Sequence, residues 1–214
     1  MTIEGLYAIV DRSHSLKKNE DNLASLAEDY LKGGVTILQL RDKERHRDPK
    51  QFFKTAQAIQ SLKKKYSFLF IVNDEPAIAR EIGADGVHVG ADDPSIASCR
   101  KTLGENAVIG YSAHSLIEAK RAEAEGADYV AFGAIYPTPT KGPGHPVQGL
   151  SRLCDMVSTL RVPVVAIGGI GRNNVADVWA TGVASVAMIS ALAKAADRVA
   201  EVRYFSKLFA ERSQ

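Results

Sequence analysis

The chain has 214 residues, of which 45% are hydrophobic and 24% are charged, and its formal net charge is +2. This composition is typical of one soluble globular domain spanning residues 1–214, and it argues against the disordered and fibrous classes. The balanced charge predicts no nucleic-acid partner, and the longest uncharged stretch, Val178–Ala193, is too short for a membrane span. Two cysteines are too few for a disulfide framework, so we expect a cytoplasmic protein.

Eight short apolar runs alternate with amphipathic segments along the chain. The runs are Leu6–Val10, Val35–Leu40, Phe68–Val72, Gly86–Val89, Ala107–Gly110, Tyr129–Ile135, Val162–Ile167 and Ser185–Ile189. Runs that are apolar on both faces are typical of parallel strands covered on both sides. Helices are predicted at Asp21–Lys32, Ser115–Glu125 and Asn173–Ala180, and the second of these opens with a Ser-x-x-Glu capping box. Eight units of about 27 residues predict a single-domain (β/α)8 TIM barrel in the α/β class, with an open doubly wound sheet as the alternative.

The second predicted strand ends in the polar sequence QLRDK. With a period of two, Gln39, Arg41 and Lys43 share one side of the strand, and we expect that side to face the mouth of the barrel. Arginine and lysine in this position suit a phosphate or pyrophosphate. The alternative is a salt bridge with Asp42, Glu44 or a neighbouring strand.

Carboxylates follow the third and fourth predicted strands. Asn73 and Asp74 end the third strand, and Asp92 and Asp93 follow the fourth. Because neighbouring strands lie about 4.8 Å apart, carboxylates from the two strand ends can share one Mg²⁺ ion. The alternative is that these aspartates cap the helices that follow, as Asp does well before Pro94.

The sixth predicted strand ends in YPTPTK. Pro137 and Pro139 keep the chain extended, which places Thr138 and Thr140 on one side and adds Lys141 as a third cation at the mouth. A proline-rich surface turn is the alternative reading of this segment.

The fifth, seventh and eighth strands add further candidates. Ser112 ends the fifth strand and can donate to a phosphate, whereas His88 lies inside the fourth strand and is expected to be packed and hydrogen-bonded. Gly168 and Gly169 end the seventh strand, where backbone can approach a ligand closely. A phosphate site after strands 7 and 8 is frequent in such barrels, although paired glycines can also form a plain turn.

The predicted barrel mouth therefore holds two anion sites. One has enough charge for a pyrophosphate with Mg²⁺, and the other suits a monophosphate. This arrangement predicts an enzyme that joins two small phosphorylated substrates with pyrophosphate as the leaving group.

At these residues the sequence resembles the thiamine-phosphate synthases. The resemblance is carried by GGVTILQLRDK, FIVNDEPAIAREIGADGVHVG, GYSAHSLIEAKRAEAEGADYVAFGAIYPTPTK, VVAIGGI and VAMISAL, which together cover most of the chain. It implies a TIM-barrel transferase that joins 4-amino-2-methyl-5-(hydroxymethyl)pyrimidine pyrophosphate to a thiazole phosphate, giving thiamine phosphate and pyrophosphate.

The resemblance also implies a role for each candidate residue. The pyrimidine pyrophosphate would be held by Gln39, Arg41, Lys43, Asn73, Ser112 and Lys141, of which the three cations would be catalytic. Asp74 and Asp93 would bind Mg²⁺. The thiazole phosphate would be held by Thr138, Pro139, Thr140, Gly169, Ile189 and Ser190. Small phosphorylated molecules are the expected partners, no nucleic acid or membrane is expected, and a homo-oligomer is compatible with the sequence.

Two other functions remain open at this point. The thiazole tautomerases share this barrel, but the characterised type has a catalytic histidine where this chain has Ala134. A non-catalytic barrel that senses a thiamine precursor is the third reading. The family's usual Gln-Glu after the fourth strand is Ala91-Asp92 here, so we expect altered loop packing and retained metal binding.

Overall fold

The computed structural model describes residues 2–14, 22–138 and 146–212. Its strands form a closed barrel in which every strand pairs in parallel with its neighbours in sequence and β8 closes on β1. The strands are β1 Gly5–Asp11, β2 Ile37–Arg41, β3 Leu69–Asn73, β4 Gly86–Val89, β5 Val108–Ala113, β6 Tyr129–Phe132, β7 Val164–Ile167 and β8 Ser185–Met188. The predicted barrel is confirmed, and the open sheet is excluded.

Helices follow the strands around the outside of the barrel. They are α1 Asn22–Lys32, α2 Pro49–Ser61, α3 Pro76–Ile82, α4 Ile96–Leu103, α5 Leu116–Ala124, α6 Gly149–Thr159, α7 Val175–Ala180, α8 Ser190–Ala193 and α9 Arg198–Arg212. Across the described ranges, no helix combines the length and apolar character needed to cross a membrane.

Some predicted boundaries and one predicted cap differ from the structure. The sixth strand ends at Phe132 and not at Ile135, although the Ile135 N–H still donates to the Ile167 carbonyl at 3.0 Å. At α5, the Ser115 hydroxyl accepts from the Glu118 N–H at 3.2 Å, as predicted. The Glu118 carboxylate, however, accepts from the N–H of the residue before Ser115, at 2.9 Å, and so closes a wider ring than a capping box.

Strand β2 shows how the alternation of side chains builds two cores. Leu38 and Leu40 are fully buried in the larger core, between the barrel and the helices. Ile37 belongs to the smaller core inside the barrel, and Gln39 and Arg41 follow it on the same side. The apolar filling of the barrel thus gives way to polar side chains towards the carboxyl ends of the strands, where the site lies.

Candidate functional site

A cavity of about 380 Å³ lies at the carboxyl ends of the strands. It is lined by every predicted site residue that the structure describes: Gln39, Arg41, Lys43, Asn73, Asp74, Asp93, Ser112, Thr138, Gly169, Ile189 and Ser190. The other three predicted residues, Pro139, Thr140 and Lys141, lie outside the described residues. Residues that are up to about 150 positions apart in sequence therefore share one cavity, as expected at this end of a TIM barrel.

The cations at and just after the end of β2 line the cavity, and they are paired with carboxylates at the ends of the neighbouring strands. Arg41 pairs with Asp11, its register partner on β1, and the Lys43 ammonium lies 2.6 Å from an oxygen of Asp74. Asp42 contacts a different arginine. These contacts match the alternative of salt bridges to neighbouring strands. Both cations also line the cavity.

Asp11 pairs with the cavity residue Arg41, and the sequence reasoning did not identify it. Its carboxylate is 2% exposed and accepts hydrogen bonds from the Ser13 N–H at 2.8 Å and the Ser13 hydroxyl at 2.5 Å. Burial acts to raise the pKa of Asp11, but the charge of Arg41 and the bonds from Ser13 outweigh it and the pKa is lowered. A signal was present in the sequence, because Asp11 ends β1 as Arg41 ends β2.

The two aspartates predicted to bind metal do not cap helices. The residue before α3 is Glu75, and its side chain makes no capping hydrogen bond, while Asp74 lies one position earlier. Asp93 accepts from the Gly90 N–H at 2.8 Å, and α4 is capped by Ser95 instead. The capping alternative is wrong for both residues, so their carboxylates need another explanation.

Asp74 and Asp93 meet at the edge of the cavity. Asp74 is 5% exposed and has a φ of 63°, a left-handed conformation that aims its side chain away from the normal course of the strand. Burial raises the pKa of Asp74 and the hydrogen-bonded carboxyl group of Asp93 raises it further, whereas Lys43 acts in the opposite direction. Two adjoining carboxylates of this kind favour a cation between them.

The donor set fits a Mg²⁺ ion that completes its shell with other oxygens. Over residues 2–14, 22–138 and 146–212, no group of three or more His, Cys, Asp or Glu side chains could hold a metal ion. Mg²⁺ usually takes one or two carboxylates and fills its other positions with water and substrate phosphates. The carboxylate pair of Asp74 and Asp93 matches this coordination, and it does not suit a metal whose ligands all come from the protein.

Asn73 adds an unused donor to the same wall. It is 5% exposed, and its side-chain nitrogen has no hydrogen-bond partner within the described part of the chain. An unpaired buried amide costs about 1–3 kcal/mol, so a ligand acceptor at this point would be strongly favoured.

The opposite wall is formed by the ends of β7 and β8. Gly168 and Gly169 have φ values of 100° and 68°. A Cβ on Gly169 would lie 2.6 Å from the Pro137 carbonyl oxygen, so glycine is required here by the packing of the loop after β6. This reason differs from the expected one, which was the approach of a ligand. The short helix α8 begins at Ser190 directly beside this loop, and its first N–H groups have no acceptor within the helix.

Two tyrosines were also missed: Tyr7 lines the cavity, and Tyr129 is hydrogen-bonded to it inside the barrel. Gln39 donates to the Tyr7 hydroxyl at 2.8 Å, and His88 lies 2.9 Å from the Tyr129 hydroxyl and 2.8 Å from that of Ser112. The expectation that His88 is packed and hydrogen-bonded is confirmed. Burial raises the pKa of both tyrosines, so they stay neutral. Tyrosines inside otherwise apolar strands were the signal that could have found them.

A second cavity, of about 610 Å³, opens beside the wall formed by β7 and β8. It shares Thr138, Gly169 and Ser190 with the first cavity, so the two are continuous at the predicted phosphate site. Lys194 lines the second cavity and adds a cation that the sequence reasoning did not include.

Comparison with known proteins places this arrangement in a family. A family model described as thiamine monophosphate synthase matches residues 6–192. The chain belongs to the thiamine monophosphate synthase family. The thiamine-phosphate synthase of Thioalkalivibrio sulfidiphilus is 40% identical over 208 residues, which are 97% of this chain and 96% of that protein. The enzyme of that name from Clostridium novyi is 41% identical over 189 residues, 88% of this chain and 90% of that protein.

The fold of the family is also found among solved structures. The thiamine phosphate pyrophosphorylase of Pyrococcus furiosus superposes with a TM-score of 0.84 at 32% identity, covering 98% of this chain and 97% of that one. A 3-hexulose-6-phosphate synthase from Salmonella typhimurium superposes with a TM-score of 0.72 at 21% identity, which shows a shared barrel fold alone. The predicted family resemblance is confirmed.

Proposed function

We propose that this member of the thiamine monophosphate synthase family joins the aminopyrimidine pyrophosphate to the thiazole phosphate, forming thiamine phosphate and releasing pyrophosphate. One observation carries the proposal: a single cavity combines Arg41, Lys43 and a carboxylate pair on one side with a glycine-rich loop and a helix start on the other. Two anionic substrates can therefore be held with their reacting atoms between the two sides.

The pyrophosphate belongs on the side of β2, β3 and β4. Arg41 and Lys43 would bind its oxygens, and Asp74 and Asp93 would hold Mg²⁺. When bound, Mg²⁺ supplies a positive charge that stabilises the leaving pyrophosphate. The unpaired Asn73 amide offers a further donor. By resemblance, Lys141 would add a third cation.

The thiazole phosphate belongs on the side of β7 and β8. Ser190 begins α8, and Gly169 and Ile189 lie beside it in the cavity wall. A helix start offers free N–H groups to a phosphate. Thr138 lines the same wall from the loop after β6, and by resemblance Pro139 and Thr140 would complete the set.

Positioning and electrostatics are sufficient for this chemistry. The electron-rich aminopyrimidine can carry a cation at its methylene carbon once pyrophosphate begins to leave, and the thiazole nitrogen then attacks that carbon. The protein must hold the two reactants in line and stabilise the developing negative charge, and it needs no covalent nucleophile. Arg41 and Lys43 are placed to do the second task.

We also propose that the protein works in the cytoplasm. Cys99 and Cys154 are both free thiols, as a reducing compartment would leave them. The cavity suits small phosphorylated molecules as ligands.

The test is a product assay with both substrates and Mg²⁺. Thiamine phosphate is followed by its fluorescence after oxidation, and matched reactions omit the pyrimidine substrate, omit the thiazole substrate or contain excess EDTA. We expect product only in the complete reaction, with one pyrophosphate released per product. A folded protein that forms no product at micromolar concentration contradicts the proposal. Conversion of the thiazole phosphate alone, in EDTA, would indicate the tautomerase instead.

A further inference from the structure

A continuous chain of hydrogen bonds crosses the floor of the cavity and connects five strands. Gln39 on β2 donates from its amide nitrogen to the Tyr7 hydroxyl of β1 at 2.8 Å. The Tyr7 hydroxyl lies 2.8 Å from that of Tyr129 on β6, which lies 2.9 Å from Nδ1 of His88 on β4. Nε2 of His88 lies 2.8 Å from the Ser112 hydroxyl on β5. Both ends of this chain, Gln39 and Ser112, line the cavity.

The chain is a built feature of the core. Tyr7 is 2% exposed and Tyr129 is 0% exposed, so neither hydroxyl has water as an easy alternative partner. The Tyr129 ring fits because Gly110 on the adjacent strand has no side chain, since a Cβ there would lie 2.0 Å from the ring. The ring of His88 stacks on that of Tyr129 with centroids 5.5 Å apart.

Counting donors shows that the hydrogen bonds must all run in one direction. Each tyrosine has one hydroxyl proton, and a neutral histidine donates from one ring nitrogen and accepts at the other. The Gln39 nitrogen cannot accept, so among the described contacts the buried Tyr7 proton is paired only when it is donated to Tyr129. The Tyr129 proton is then paired only when it is donated to Nδ1 of His88. Nε2 of His88 then donates to Ser112, whose own proton is left to point elsewhere. The opposite direction requires the Gln39 amide to turn over and every bond to reverse.

The two ends of the chain are therefore coupled through its middle. In this direction Gln39 keeps its carbonyl oxygen as an acceptor for a ligand, and Ser112 keeps its hydroxyl as a donor. Reversal would turn Gln39 into a donor and Ser112 into an acceptor at the same time. A ligand that needs a donor from both Gln39 and Ser112, or an acceptor from both, cannot be matched by either direction of the chain. Such a ligand leaves a buried polar group unpaired, which is strongly disfavoured.

We propose that this chain makes the site select an aminopyrimidine over its 4-oxo analogue, with Tyr7, Tyr129 and His88 as positioning residues that act through Gln39 and Ser112. The inference rests on the proposed function. An exocyclic amino group donates to the Gln39 carbonyl, and an acceptor on the same substrate receives the Ser112 proton. The 4-oxo analogue presents an acceptor where the amino group was, so it meets an acceptor at Gln39.

The first experiment compares kcat/KM for 4-amino-2-methyl-5-(hydroxymethyl)pyrimidine pyrophosphate with that for its 4-oxo analogue. A site built to hydrogen-bond one group rejects the wrong one by about 10⁴-fold. We expect Tyr129→Phe and Tyr7→Phe to reduce this preference at least about 10-fold, because Gln39 can then turn over without reversing the whole chain. Tyr30→Phe is the matched control, since Tyr30 is equally buried and its hydroxyl has no partner in the described part of the protein. A preference within 2-fold of the unaltered enzyme in both chain variants, each folded by its melting curve, overturns the proposal.

The second experiment needs no turnover and is made on the unaltered protein. In ¹⁵N-histidine NMR of the unaltered protein at neutral pH, the proposed direction requires His88 to be neutral and protonated on Nε2, with its signals assigned by their loss in His88→Asn. A ring protonated on Nδ1, or on both nitrogens, overturns the proposal. An enzyme that makes no thiamine phosphate but shows the Nε2 proton would contradict the proposed function while leaving the direction of the chain supported.

Discussion

Replacing Lys43 by alanine separates a role in catalysis from a role in folding. The Lys43 ammonium lies 2.6 Å from the Asp74 carboxylate, and its side chain is 50% exposed. An ion pair this exposed contributes about 0.2–1 kcal/mol to stability. Asp74 also keeps Arg45 at 3.5 Å, so its carboxylate is not left without a cation.

The two expected effects of Lys43→Ala therefore differ strongly in size. A loss of up to about 1 kcal/mol lowers the melting temperature by at most about 4 °C in a chain of this length. Loss of one preorganised charge that stabilises a leaving group costs about 10²–10³-fold in kcat. We expect the lower end, about 100-fold, because Arg41 lines the same part of the cavity and remains.

The assay measures kcat, KM for the pyrimidine substrate and the melting temperature in parallel. The matched control is Lys63→Ala, because Lys63 pairs with Asp85, which precedes β4 at the opposite end of the barrel. The control should lose a similar amount of stability and no activity. A kcat for Lys43→Ala within 2-fold of the unaltered enzyme would refute the assignment of Lys43 to the leaving pyrophosphate.

Three further substitutions test other parts of the site. Asp93→Ala should abolish product formation and weaken the binding of Mn²⁺ measured by electron paramagnetic resonance. The lost hydrogen bond from the Gly90 N–H costs only about 1 kcal/mol of stability. Unchanged Mn²⁺ affinity would contradict the metal site. Ser95→Ala should lower the melting temperature by about 2–4 °C through the lost α4 cap and leave kcat unchanged. A large loss of rate would contradict a purely structural role for Ser95. Gly169→Ala should raise KM for the thiazole phosphate more than KM for the pyrimidine substrate. The new Cβ would lie 2.6 Å from the Pro137 carbonyl oxygen and displace the wall formed by the ends of β7 and β8. Equal increases in the two KM values would contradict the division of the cavity.

The sequence alone was enough to predict the barrel and the position of most site residues. Strands that are covered on both faces are mostly apolar, so polar residues on them stand out. On β2, Leu38 and Leu40 are buried and apolar, whereas Gln39 and Arg41 on the other face mark the mouth of the barrel. The period of two and the rule that parallel strands carry function at their carboxyl ends then predict, from the sequence, which distant residues meet at the mouth.

Only the tertiary structure decided which partners these residues have. The positions of Asp11 and Tyr129 on their strands can be read from the sequence, but their partners Arg41 and Tyr7 lie on other strands, so these contacts cannot. The reason for Gly169 likewise lies in the loop after β6, and it could not be read from the glycine itself. The direction of the hydrogen bonds between Gln39 and Ser112 arises when the closed eight-stranded barrel brings residues of five strands together, and no local pattern of residues specifies it.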